Sequence, residues 1–202
     1  MAEAAYPDEP RLLPVGSLGR NSVGWWGVLC LIATESCLFA YLLFSYAYMA
    51  VQYGRAWLPE AHPSISLSGP DTLILLASSV AAWWGEEGVK HSRRPQHLAG
   101  VGLAILLGLI FLVVQVFEWK DKGYTLSTNS YSSLYFTITG FHMAHVVVGV
   151  LMLGMVLIWS LMGYFSPRHH VRVSVASLYW HFVDAVWLCV FFTFYISPYL
   201  MG

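Results

Sequence analysis

The sequence has little charge of either sign and no excess of positive charge. Only 10% of its 202 residues are charged, less than in an average soluble domain, whereas 57% are hydrophobic and 16% aromatic. The formal net charge is −1, so no basic surface is available for a phosphate backbone, and we expect no nucleic-acid partner. This composition excludes an ordinary water-soluble protein and indicates apolar surroundings.

The chain also has few cysteines, and none of them forms a CxxC or CxxxC pair. A thiolate metal site and a redox dithiol are therefore not indicated. Cys30, Cys37 and Cys189 all lie inside apolar runs. We expect them to be small buried hydrophobic residues.

Long apolar runs occupy most of the chain after residue 21. Since about 20 residues cross the hydrocarbon core of a bilayer, five runs qualify, namely Ser22–Val51, Asp71–Val89, His97–Trp119, Tyr131–Met162 and Val173–Pro198. The start, MAEAAYPDEP, lacks the basic region of a signal peptide. The sequence predicts an all-α membrane protein: a short cytoplasmic arm (residues 1–21) and one domain (residues 22–202), a bundle of five transmembrane helices.

Positive charge is distributed unevenly over the connecting segments. One side would carry seven basic residues: Arg11, Arg20, Lys90, Arg93, Arg94, Arg168 and Arg172. The other would carry three: Arg55, Lys120 and Lys122. Because cytoplasmic loops are enriched in Lys and Arg, we expect a cytoplasmic N-terminus and a C-terminus on the outer side.

Small residues at four-residue spacing let helix backbones approach closely in lipid. Such residues occur in the second span as Ala77, Ala81 and Gly85, and in the fourth as Gly140 and Ala144. We expect both faces to be packed against other helices.

Glu35 is the clearest charged residue at membrane depth. It lies a little past the middle of the first span, in LIATESCLFAYLLF, with nothing basic within a helical turn. A carboxyl at such depth usually faces the bundle interior and has a partner. Two interpretations stay open: a proton-active or structurally paired carboxyl, and a neutral acid hydrogen-bonded into a packed interface.

Two later spans carry polar pairs at three-residue spacing, which puts the members of each pair on one helix face. These residues are His142 and His145 in GFHMAHVVVG, and His181 and Asp184 in YWHFVDAVW. They could hold a haem or join Glu35 in a metal site. We favour the alternative, a structural hydrogen-bond network. Glu118 in QVFEW belongs to this network unless it is exposed at the outer end of its span.

The turn SPRHHVR suits anionic lipid headgroups at the inner interface. The candidate headgroup contacts are Arg94, Arg168, His169, His170 and Arg172.

Five segments together resemble subunit III of the haem-copper oxidases, the cytochrome c and quinol oxidases. In chain order they are LIATESCLFA, LLASSVAAWWG, QVFEW, GFHMAHVVVG and YWHFVDAVW. The likeness extends from about Gly24 to the end of the chain and is closest to the short, five-span bacterial form, which lacks two N-terminal spans of longer members.

The resemblance implies an accessory subunit of the bacterial cytoplasmic membrane that packs on the catalytic subunit I. It implies no catalytic residue and no metal in this chain, haem and copper in partner subunits, and bound phospholipid. Glu35 falls at the family's carbodiimide-reactive glutamate, near a proton-uptake route of the neighbouring subunit, so the implied role is to sustain proton uptake and durable turnover. A nitric oxide reductase accessory subunit and a transmembrane cytochrome b stay open as alternatives.

Overall fold

A computed structural model describes residues 22–58, 65–165 and 170–200, and these residues form an all-helical protein. The five long helices are α1 (Val23–Tyr53), α2 (Ile65–Lys90), α3 (Arg94–Asp121), α4 (Ser130–Leu161) and α5 (Val171–Phe191). A 3-10 turn (Gly54–Trp57) follows α1, and α5 continues through a π-helical turn (Phe192–Ile196) into the short α6 (Ser197–Leu200). The all-α prediction is confirmed; the predicted arm lies outside the described residues.

The helix ends are set by local capping. The Ser22 hydroxyl accepts a hydrogen bond from the Trp25 amide at the start of α1. At the start of α4 the Asn129 side chain accepts from the Ser132 amide at 2.7 Å, and the Ser132 hydroxyl accepts from the Asn129 amide at 3.0 Å. Together these bonds form a capping box, which satisfies backbone donors that a helix start leaves unpaired.

Among the described residues, four helices are long and apolar enough to cross a membrane: α1, α3, α4 and Val171–Tyr199. The buried residues of α2 include five polar ones, namely Ser68, Asp71, Thr72, Ser78 and Ser79. This helix also begins six residues before the predicted Asp71 and includes Pro70. Hydropathy alone therefore places its start too late.

The closest helix contact joins α2 and α3 through glycines. A Cβ atom on Gly100 would lie 2.5 Å from the Cα atom of Gly85 and 2.8 Å from the carbonyl oxygen of Ala81. The packed face predicted around Ala81 and Gly85 is therefore present. Ala77 and Ala144, however, are exposed, so the predicted packing at those two positions is wrong.

The helix α5 lies at the centre, because it packs on α1, α2 and α4. Its Trp180 ring lies between two glycines: added Cβ atoms would come within 2.6 Å of it at Gly108 of α3 and 2.7 Å at Gly149 of α4. The Trp180 indole donates to the Ser78 hydroxyl of α2 at 3.0 Å. One side chain thus fixes three helices around α5.

The helix α1 lies at the periphery and packs on α4 and α5. Only four of its residues are buried: Val28, Phe39, Tyr46 and Ala50. All three cysteines are exposed in this chain, so the expectation of burial is wrong. In a membrane protein an apolar residue can face outward as readily as inward.

Candidate functional site

Glu35 of α1 meets His145 of α4. The distance from the Glu35 Oε2 atom to the His145 Nε2 atom is 3.0 Å. The two side chains are 27% and 14% exposed, and the Phe39 ring packs edge-on against the imidazole with ring centres 5.0 Å apart. Glu35 therefore has a partner, supplied by a distant helix rather than by its own.

The other imidazole nitrogen limits where the proton of this pair can be. The His145 Nδ1 atom lies 2.7 Å from the carbonyl oxygen of Phe141, and a carbonyl only accepts, so Nδ1 carries a hydrogen. A hydrogen bond between Nε2 and Glu35 then needs one further proton, either on the carboxyl or on the imidazole. In both arrangements the pair is neutral overall, which suits membrane depth.

His142 has different neighbours. It is completely buried, and its Nε2 atom donates to the carbonyl oxygen of Val183 at 3.2 Å. Its ring packs against Phe111 and Trp187, with ring centres 5.8 and 4.8 Å apart. His142 thus faces α3 and α5 while His145 faces α1, so the two imidazoles do not form a joint ligand pair.

His181 and Asp184 of α5 both approach Ser79 of α2. The His181 Nδ1 atom lies 3.1 Å from the Ser79 hydroxyl, which also interacts with the Asp184 carboxyl. The Nε2 atom of His181 lies 3.3 Å from the hydroxyl of Ser177. The pair therefore connects α5 to α2.

Glu118 is 4% exposed and belongs to a buried cluster near the end of α3. Its Oε1 atom accepts hydrogen bonds from Tyr195 and, at 3.4 Å, from Tyr135. The Lys122 ammonium lies 3.0 Å from the same oxygen and over both tyrosine rings. The π-helical turn contains Tyr195, and such turns often occur where a helix must present a particular side chain.

Tyr124 lies beside this cluster, in the loop between α3 and α4. Burial raises its pKa to about 12, and the nearby Glu118 carboxylate adds to that effect. The Tyr124 hydroxyl is therefore uncharged at neutral pH.

Three of the candidate headgroup residues, Arg94, His170 and Arg172, lie at one end of the bundle. The Arg94 guanidinium donates to the carbonyl oxygen of Leu161 at 2.9 Å, so this residue caps the end of α4 and stays exposed. The Arg172 guanidinium lies over the Trp159 ring at 5.8 Å. His170 precedes the first turn of α5, while Arg168 and His169 lie outside the described residues.

Several further polar residues are buried at positions that the sequence did not single out. The His97 Nδ1 atom donates to the Gly85 carbonyl oxygen at 2.8 Å, and its Nε2 atom lies 2.7 Å from the Ser160 hydroxyl. Asp71 and Gln115 are 1% and 0% exposed, and the three-residue spacing of Gln115 and Glu118 on α3 was the available signal. Within the described ranges, no three His, Cys, Asp or Glu side chains are placed to hold a metal ion.

Comparison with known proteins gives one family. The family of cytochrome c oxidase subunit III matches residues 21–199. Similar relatives are cytochrome c oxidase subunit 3 of Drosophila yakuba, 32% identical, of Pan troglodytes, 34%, and of Homo sapiens, 33%. Each match extends over 177 residues, 84% of this chain and 68% of the relative. The likeness predicted from five sequence motifs is confirmed, and the chain belongs to the cytochrome c oxidase subunit III family of the haem-copper terminal oxidases.

Proposed function

We propose that this chain packs on the catalytic subunit I of its oxidase and supports proton uptake and durable turnover there. Oxygen is reduced at haem and copper centres of the partner subunits, and this chain supplies no catalytic residue. Family membership supports the assignment. The broad apolar surface of the isolated chain, to which Trp26, Tyr41 and Phe44 of α1 contribute, supports contact with other subunits and lipid.

The proposed topology has five membrane spans, with α2 as the fifth. At about 1.5 Å of rise per residue, its 26 residues extend about 39 Å, enough for a hydrocarbon core of about 30 Å. Its outward residues, such as Leu73, Val80 and Trp83, are exposed and apolar. The excess of Lys and Arg favours a cytoplasmic N-terminus and an outer C-terminus, and the resemblance to the short bacterial form favours the bacterial cytoplasmic membrane.

The Glu35–His145 contact is the observation that supports a role in proton supply. The pair shares one proton between a carboxyl and an imidazole, and both side chains are partly exposed. The proton can move between the carboxyl and the imidazole while the pair stays neutral, and its release is balanced when a second proton replaces it. The pair is thus suited to hold a proton beside an uptake route in the neighbouring subunit.

Lipid is proposed as a second partner. A groove of about 590 Å³ lies between α1 and α4, and its lining includes Tyr41, Phe44, Tyr48, Met49 and Leu134. Apolar and aromatic walls of this kind suit an acyl chain. At the opposite end of the bundle, Arg94 and Arg172 suit an anionic headgroup.

The test is the assembled oxidase with Glu35→Gln, which keeps the shape of the side chain but cannot carry the shared proton. We expect normal haem content and a faster loss of oxygen consumption over many turnovers. His145→Gln should reproduce this loss, because the proton belongs to the pair. Glu87→Gln, a change in a more exposed carboxyl at the end of α2, is the matched control. Inactivation of the Glu35 variant at the control rate would contradict the proposed role.

A further inference from the structure

A second buried polar site lies between α2 and α3, far from Glu35 in the sequence. Ser68 and Asp71 are three residues apart on α2, and Gln115 and Glu118 are three apart on α3, so each pair shares one helix face. The two helices run antiparallel, and the contacts of Gly85 with Gly100 and of Gly88 with His97 fix their register. In that register Ser68 lies level with Glu118, and Asp71 lies level with Gln115.

These four side chains are almost completely enclosed. Their exposed fractions are 0% for Ser68, 1% for Asp71, 0% for Gln115 and 4% for Glu118. Asp71 and Glu118 lie close enough for electrostatic interaction, as this register requires. The four side chains are therefore enclosed within the bundle.

Six polar atoms of this site make no hydrogen bond of ordinary length among the described residues, although the Ser68 hydroxyl also interacts with the Tyr195 hydroxyl. They are the Ser68 hydroxyl, both carboxyl oxygens of Asp71, both amide atoms of Gln115 and the Oε2 atom of Glu118. Ser68 and Gln115 can donate, and Asp71 and Glu118 can accept, yet these groups do not reach one another directly. Buried polar groups nearly always have a hydrogen-bond partner. A small molecule or ion must therefore lie between these side chains.

The charges in the site do not balance if both carboxyls are ionised. Lys122 lies 3.0 Å from Glu118 and compensates that carboxylate, to which the Tyr135 and Tyr195 hydroxyls also donate. Apart from Lys122, the described residues place no cation in ion-pair contact with either acid. A buried charge without compensation is very unfavourable, so Asp71 is expected to be a neutral acid.

The mixture of donors and acceptors identifies the ligand class. A metal ion would satisfy the carboxylate and carbonyl oxygens but would leave the Gln115 amide hydrogens unpaired. Water both donates and accepts, and buried waters typically bond two to four such groups. We propose that Ser68, Asp71, Gln115 and Glu118 enclose a small cluster of water molecules that holds one exchangeable proton, carried by Asp71 and connected through water to ionised Glu118.

Infrared spectroscopy of the intact oxidase tests this proposal. A protonated buried carboxyl gives a carbonyl-stretching band apart from those of carboxylates, and the band shifts in D₂O if the proton exchanges. We expect an exchangeable carboxyl band in the wild-type complex that is absent from Asp71→Asn. Asp121→Asn, a change in an exposed acid at the end of α3, should retain the band. Retention of every exchangeable carboxyl band in Asp71→Asn would overturn the proposal.

A high-resolution map of the wild-type complex decides the matter independently, even if Asp71→Asn fails to assemble. Density for water within hydrogen-bond distance of Asp71 and Gln115 is the expected result. Direct pairing of the four side chains, or a metal ion bound by the two carboxylates, would overturn it.

Discussion

Substitution of Gly100 by alanine should separate α2 from α3, and the structure sets the size of the effect. The new Cβ atom would lie 2.5 Å from the Gly85 Cα atom and 2.8 Å from the Ala81 carbonyl oxygen. Ordinary contacts of a Cβ atom are about 1 Å longer. Both neighbours are backbone atoms, which cannot rotate away as a side chain can. We therefore expect a loss at the upper end of the range for overpacking, about 3 kcal/mol.

The matched control is Gly102→Ala in the same helix, where an added Cβ atom has nothing within 4 Å. Both variants gain the helix propensity of alanine over glycine, about 1 kcal/mol, so their difference isolates the packing effect. The measurement is the temperature at which subunit III is released from the purified oxidase. Gly100→Ala should release the subunit at a clearly lower temperature than Gly102→Ala, and equal release temperatures would refute the reasoning.

Three further predictions concern the buried polar groups. A hydrophobic carbodiimide, which attacks protonated carboxyls, should label Glu35 before Glu87; equal labelling in a mass-spectrometric time course would contradict a proton shared with an imidazole. Lys122→Met should destabilise the subunit by about 3 to 5 kcal/mol because it leaves the Glu118 carboxylate buried without a cation; denaturant titration should show this loss, and the added change Glu118→Gln should recover most of it. Asp184→Asn should weaken assembly by about 1 to 3 kcal/mol while assembled complexes keep their turnover rate, and a stable complex without turnover would contradict a structural role.

Hydropathy was sufficient to predict the long helices but not the polar start of α2. The helices α1, α3, α4 and α5 begin within about three residues of the predicted spans. Hydropathy predicts that α2 starts at Asp71, because the preceding residues are mostly polar and include Pro70. The helix in fact begins at Ile65, which moves Asp71 from a helix boundary into the interior, and this is why the site with Gln115 was missed.

The packing of small residues was predicted only in part, for a geometric reason. Four residues turn an α-helix by about 40° more than a full circle, so over eight residues Ala77 is rotated about 80° away from Gly85. Ala81 and Gly85 remain in contact with α3, while Ala77 faces outward. A repeat of small residues thus predicts a close contact over one turn and not along a whole helix.

The partners of the polar residues could not be read from the sequence, because each partner lies on a different helix. Glu35 of α1 pairs with His145 of α4, and His181 of α5 with Ser79 of α2. The absence of a basic residue near Glu35 in its own helix was therefore no indication of a missing partner. In lipid, no hydrophobic driving force brings apolar helix faces together. A polar contact between distant helices therefore strongly favours one arrangement of the helices over the others. It follows that His145 and Ser79 contribute to fixing where α1 and α2 lie in this bundle, in addition to any part that Glu35 and His145 have in moving a proton.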